Sequence, residues 1–269
     1  ADHTQQAAPA RERMMLELLP IDLAHWPQFG MACLVAFLAS ILGGVSGYGT
    51  GLILPAFLAP LVGVENVIPV MAVAMLLTNG SRVLAFWREI DWAHVRRILL
   101  LGFPGCVGGA YAYTLLSADW IAVLLGSFLL VCIPLRRILQ RKVWRFSPGA
   151  QRLGGGAFGL VNGGMSGTGV LLISILMSAG LSGAVLIATD ALISLLMGVT
   201  KVILFGSLSA LSIERALIGL FIGLCTTPGA FVARWLLRHI PVAIHAWIME
   251  LIVFLGAISL LRPVWRACF

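Results

Sequence analysis

"GGVSGYGTG" occupies Gly43–Gly51 and "GGMSGTGVL" occupies Gly163–Leu171, each inside a long apolar stretch. At an offset of 120, Gly43, Gly44, Ser46, Gly47 and Gly49 match Gly163, Gly164, Ser166, Gly167 and Gly169. Glycine relaxes helical geometry and accepts positive φ, so clusters this dense are expected to open a helix. The N–H and C=O groups freed at membrane depth survive only where protein or a polar cavity receives them. The half-helix after each break then points bare N–H groups, and the positive end of its dipole, into that cavity. Ser46, Tyr48, Ser166 and Thr168 add hydroxyls. Such a place suits a small anion. The competing reading is close helix packing through small residues four apart, which does not explain runs such as "GGGAFGLVNGGMSGTG" (Gly154–Gly169). As a dinucleotide fingerprint the phrase fails, because no strand precedes it.

The surroundings are membrane-like. Of 269 residues 60% are hydrophobic and 11% charged, with mean hydropathy +1.01. A soluble domain needs more charge than this, and the apolar blocks reach the roughly 20 residues that a crossing helix requires. The strand alternation of a membrane barrel is absent. The composition therefore predicts an all-α polytopic membrane protein. Residues 1–27 carry Arg11, Glu12, Arg13, Glu17 and Asp22 and read as a tail, either disordered or with a short interfacial helix near Met14–Leu19. No signal-peptide pattern is visible there. Cys33, Cys106, Cys132, Cys225 and Cys268 are scattered, without C-x-x-C or a Cys–His spacing, so no metal and no cofactor is expected and the thiols read as packing. The net charge of +7 does not imply a nucleic-acid partner; its densest run, "RRILQRKVWR" at Arg136–Arg145, lies between two apolar segments.

Eight apolar segments are expected, at about 28–61, 66–87, 95–116, 120–138, 153–181, 184–206, 215–236 and 242–261. If each crosses once, the linkers at 88–97, 136–152 and near 215 share a side with both tails and hold 14 of the 18 Lys and Arg residues. Positive-inside bias then places both termini in the cytoplasm. If segments one and five were full hairpins instead, the split falls to 11 against 5, which favours the single-crossing scheme. The halves repeat: "SRVLAF" (Ser81–Phe86) aligns with "TKVILF" (Thr200–Phe205) at an offset of 119, and Pro104-Gly105 corresponds to Pro228-Gly229. The expected organisation is a tail (1–27), a first repeat (28–138), a basic cytoplasmic linker (139–152), a second repeat (153–262) and a C-terminal tail (263–269). Four crossings per half would make the two repeats parallel, with segments one and five broken by their glycine motifs.

Arg82, Asp190, Lys201, His245 and Glu250 fall within apolar segments, where a charge costs at least about 2.5 kcal/mol on insertion scales. Arg82 and Lys201 occupy matching positions. At equal depth they would clamp one anion between them; the alternative is that both snorkel to the nearby interface. Asp190 and Lys201 are 11 residues apart, which places them on one helix face about 16 Å apart along the axis, too far to pair. Asp190 and Glu250 are candidate proton carriers, or else make structural hydrogen bonds. His245 reads as interfacial.

The duplicated glycine phrases, "NGSRVLAFWREIDW" (Asn79–Trp92) and the two Pro-Gly helices resemble the TauE/SafE family, described as sulfite or organosulfonate exporters. The likeness covers about residues 28–262. It implies a multi-pass carrier of small sulfur-containing anions in a bacterial inner membrane, with the lipid bilayer and that substrate as its partners. The substrate site expected from both lines of reasoning comprises Ser46, Gly47, Tyr48, Gly49, Asn79, Arg82, Asn162, Ser166, Gly167, Thr168, Gly169 and Lys201. A passive anion channel and a non-transporting structural membrane protein are the rival readings. A membrane enzyme is disfavoured, since Ser46 and Ser166 have no histidine nearby in sequence, and the absence of an ATP-binding motif excludes pumping by direct ATP hydrolysis in this chain.

Overall fold

The computed structural model describes residues 26–46, 49–141 and 146–236, together with helical positions between 251 and 261. Among them every regular element is a helix. α1 (Trp26–Ser46) and α2 (Gly49–Val62) run into the first glycine phrase from either side, and a 3-10 turn (Val64–Asn66) leads into α3 (Val67–Phe86). There follow α4 (Trp92–Thr114), α5 (Ala118–Arg141), α6 (Pro148–Gly164), α7 (Gly169–Ser178), α8 (Gly183–Ser207) and α9 (Ile213–Leu236). Local chemistry explains two of the starts. The Asp91 carboxylate accepts from the N–H groups of Ala93 (2.9 Å) and His94 (3.1 Å), capping α4, and Ser147 caps α6 ahead of a proline at its first position.

Helix packing runs through glycine. A methyl group placed on Gly155, Gly159 or Gly163 of α6 would run into the carbonyl of Ile98, Gly102 or Cys106 of α4 in turn. Residue numbers rise together along both helices, so α4 and α6 run side by side in one direction with their backbones touching, as small residues permit. α9 and α1 make the matching pair: Gly229 lies against Phe37 and Ser40, and the Cys33 and Cys225 sulfurs face each other.

The second glycine phrase turns the chain back on itself. The Phe146 N–H donates to the Ser178 carbonyl (2.9 Å), and Gly154 near the start of α6 faces Ile175 near the end of α7. The Asp91 N–H then donates to Thr189 at the start of α8 (3.1 Å). Residues 91, 146, 178 and 189 therefore share one end of the bundle. At the opposite end the Tyr113 hydroxyl donates to the Val64 and Glu65 carbonyls (3.2 and 3.0 Å), while its ring meets Phe205 edge-on. α9 starts at this Glu65 end and runs beside α3, with Gly219 against Val70 and Gly223 against Ala74. α1 follows α9, so it also starts at the Glu65 end. α2 folds back along it, with the Thr50 hydroxyl directed to the Ala39 carbonyl (3.4 Å).

These contacts correct the expected topology. Segments one and five are not single broken crossings but helical hairpins, α1–α2 and α6–α7, reaching in from opposite ends. Each hairpin returns to the end it came from, and three lengthwise helices, α3, α4 and α5, lie between them; an odd number inverts the second hairpin relative to the first. Eight crossings in two parallel repeats of four are thus not what this chain forms. Among the described residues, Val64–Glu89, Ala118–Leu135 and Gly183–Ser207 are the helices long and apolar enough to cross a membrane. The glycine-rich run at Gly154–Gly169 also divides in two: up to Gly164 the chain stays helical, with Gly155, Gly156, Gly159, Gly163 and Gly164 packed on α4, and only the stretch between α6 and α7 opens. Gly47, Tyr48, His245 and Glu250 lie outside the described residues.

Candidate anion site between the hairpin tips

The two tips meet. The Ser166 hydroxyl donates to the Gly51 carbonyl (2.9 Å), and a methyl group on Gly51 would approach the Gly167 nitrogen and the Met75 side chain to 2.8 Å each. Gly167 turns the chain with φ +80°, a conformation that side chains other than glycine's rarely adopt. The donor of Ser166, expected to coordinate substrate, is therefore spent on joining the hairpins. Ser46 ends α1 and Gly49 opens α2.

Beside the contact lies a largely enclosed cavity of about 40 Å³, lined by Met75, Asn79, Asn162, Asp190, Ser194 and Lys201 with the backbone of Gly167–Gly169 and Gly198. It exceeds the ~10–15 Å³ that admits one water and is far below the several hundred Å³ of a drug-sized pocket. A larger hollow of about 610 Å³, among Leu124, Phe128, Leu160 and Met165, is open and almost wholly apolar. Its chemistry suits a lipid chain, so the small polar cavity is the functional candidate.

Asn79, Asn162, Gly167, Thr168, Gly169 and Lys201 from the expected site come together here, with Asp190. Lys201 is 4% exposed, and its ammonium donates to the Asn162 carbonyl (3.0 Å) in the last turn of α6, where the helix dipole favours a cation. It does not snorkel. Among the described residues no carboxylate pairs with it. The Thr168 hydroxyl donates to Asn162 Oδ1 (2.7 Å) rather than capping α7, so the first N–H groups of α7, which have no intrahelical acceptor, carry no side-chain cap.

Arg82 does not join Lys201 around one anion. α3 and α8 are antiparallel, with Arg82 Nη1 3.8 Å from Asp190 Oδ2 and Gly198 beside Leu76 and Ala72. The expected equal depth assumed parallel repeats; inversion instead sets Arg82 level with Asp190, about 16 Å along the axis from Lys201. Met75, Ser194 and Gly198 were missed by the sequence reading. Two signals find them. Asp190, Ser194, Gly198 and Lys201 recur at helical spacing on one face of α8. The offset of 119 that pairs Arg82 with Lys201 also pairs Met75 with Ser194 and Asn79 with Gly198. The cavity is thus built where the two repeats face each other.

A cavity with a buried ammonium, an uncapped helix start and amide side chains can hold a compact anion. Neither the curated proteins nor the solved structures offer a match to this chain. The family model described as sulfite exporter TauE/SafE matches residues 32–260. That covers most of the chain, and with the apolar helices it makes this a multi-pass membrane protein of a transporter family: the chain belongs to the TauE/SafE sulfite exporter family.

Proposed function

We propose that the protein is a secondary carrier that exports a compact sulfur oxyanion, of the sulfite or thiosulfate kind, through the cavity between its hairpin tips. The observation that carries this reading is Lys201, buried without a carboxylate partner among the described residues, in a cavity it shares with the start of α7. Lys201, the Gly169 N–H and Asn79 would hold the oxygens. The small volume favours an inorganic oxyanion over a bulky organosulfonate. Hairpins reaching from opposite ends supply two gates: withdrawing one tip opens the cavity to one side while the other keeps it closed.

The hairpin topology redistributes the charges. Among the described residues, the Asp91 end carries Arg88, Arg96, Arg97, Arg141 and Arg152, and the Glu65 end carries Arg215. This supports the cytoplasm at the Asp91 end and a bacterial inner membrane around the bundle. The start of α1 then lies on the outer side, opposite to the sequence expectation for the termini.

Thermal unfolding of the purified protein against sulfite, thiosulfate, sulfate, sulfoacetate, phosphate and acetate tests the reading. A ligand that binds only the folded state raises the midpoint with RT ln(1 + [L]/Kd). Stabilisation by the compact sulfur oxyanions and not by acetate is expected. No stabilisation by any of them would remove the cavity's assigned role.

A further inference from the structure

The cavity contains a group that anion binding alone does not use. Asp190 is 3% exposed and lines the same cavity as Lys201. Its Oδ2 faces Arg82 at 3.8 Å, beyond hydrogen-bond length, and its Oδ1 is buried without a hydrogen-bond partner among the described residues. A buried carboxylate oxygen left unpaired is costly, and the great majority of buried polar atoms avoid it. Its counterpart in the first repeat is Met71, so the twofold plan of the site does not demand an acid here.

Resting on the anion-carrier reading above, we infer that Asp190 is a proton-binding site and that the proton and the anion occupy the cavity together. The charged and titratable groups around Asp190 decide the sign. Arg82 reaches it from α3. Lys201 lies at the far end of the cavity on its own helix, and Cys106 packs from α4 against the Met197 carbonyl. Asp91 and His94 lie beyond Thr189 at the end of the bundle. Ionised, Asp190 places a negative charge on the wall of the space where the anion sits and opposes it. A proton taken from the solution on the open side forms an O–H bond at Oδ1 and cancels that charge. Because linkage is reciprocal, the anion strengthens proton binding by the same factor. On release the proton leaves Oδ1 for solvent on the new side, so each anion moved carries a proton with it.

The test uses the intact purified protein in detergent with thiosulfate and sulfate, whose charge is constant between about pH 5.5 and 8. Their affinity for the wild type is expected to fall with rising pH, approaching tenfold per unit once Asp190 ionises. Asp190→Asn, which keeps the shape and removes the charge, is expected to bind with an affinity independent of pH. Adding thiosulfate to weakly buffered wild-type protein should also withdraw about one proton per anion bound, read with an indicator dye, which keeps the inference testable if the variant does not fold. Binding that is flat with pH, no proton uptake, or an unchanged slope in Asp190→Asn overturns the coupling while leaving the anion site intact. Absence of binding at every pH overturns both.

Discussion

Lys201 carries the functional reading at the scale of one side chain. Among the described residues its ammonium makes one hydrogen bond, to the Asn162 carbonyl, and it has three donors to give. Lys201→Met keeps the stem and removes the charge, and should weaken thiosulfate binding by at least about tenfold, since losing a charge-assisted hydrogen bond costs about 1.5–3 kcal/mol. Arg82→Met should weaken it by much less, because Arg82 acts through Asp190 rather than on the anion. Isothermal titration of both variants checks this, and equal losses would restore the two-cation clamp. The identity of these residues was legible in the sequence, because ionisable groups within apolar segments are few. Their arrangement was not: matching positions in a repeat fix equivalent surroundings, whereas depth depends on whether the repeats are parallel or inverted.

Among the elements, α6 shows glycine serving two ends within one run. Gly159→Ala would press a methyl group into the Gly102 carbonyl, a backbone atom that cannot step aside, whereas Gly154→Ala meets only the tip of Ile175 at 3.4 Å. The first should cost about 1–3 kcal/mol by overpacking. The second should be neutral to slightly stabilising, as alanine replaces glycine in a helix. Denaturation midpoints in detergent separate the two. α4 offers a test by pH. Its cap, Asp91, lies in the turn at the end of the bundle. Partial burial works to raise its carboxyl, but the hydrogen bonds from His94 and the Ala93 N–H prevail and hold it below the usual aspartate value. A folded value depressed in this way contributes stability above the unfolded pKa of about 3.9, and that contribution is lost as pH falls through the lower folded value. Asp91→Ala should therefore cost about 1 kcal/mol near neutrality, and its difference from wild type should disappear in strong acid. A constant difference across that range would show that the carboxylate charge is not what caps α4.

For the whole molecule, the inverted arrangement is the part of the fold that the sequence obscured. A broken crossing and a hairpin have the same total apolar length, so segments of 34 and 29 residues (28–61 and 153–181) fit either. The clue was the piece after each break. α2 has 14 residues and α7 has 10, both short of the roughly 20 that a crossing needs. Charge counting chose the other scheme because the more lopsided split was preferred, although a bias of 11 against 5 already satisfies the rule. All-helical character and the duplication itself were plain from composition and from the offsets near 120. Single-cysteine labelling in a background without native cysteines distinguishes the topologies. Ser147→Cys and Ser182→Cys flank the α6–α7 hairpin and should be labelled from the same side, with Ser117→Cys and Ser209→Cys labelled from the other. Labelling of Ser147→Cys and Ser182→Cys from opposite sides would return segment five to a single crossing.

The central claim is that a compact sulfur oxyanion passes through the cavity at the hairpin tips. Counterflow of radiolabelled sulfite in proteoliposomes tests it most directly, with wild type and Lys201→Met reconstituted at equal, verified protein levels. Wild type should show saturable accumulation of label against excess unlabelled sulfite inside, and Lys201→Met should lose most of it. No counterflow in the wild type, or an undiminished signal in Lys201→Met, would contradict the account.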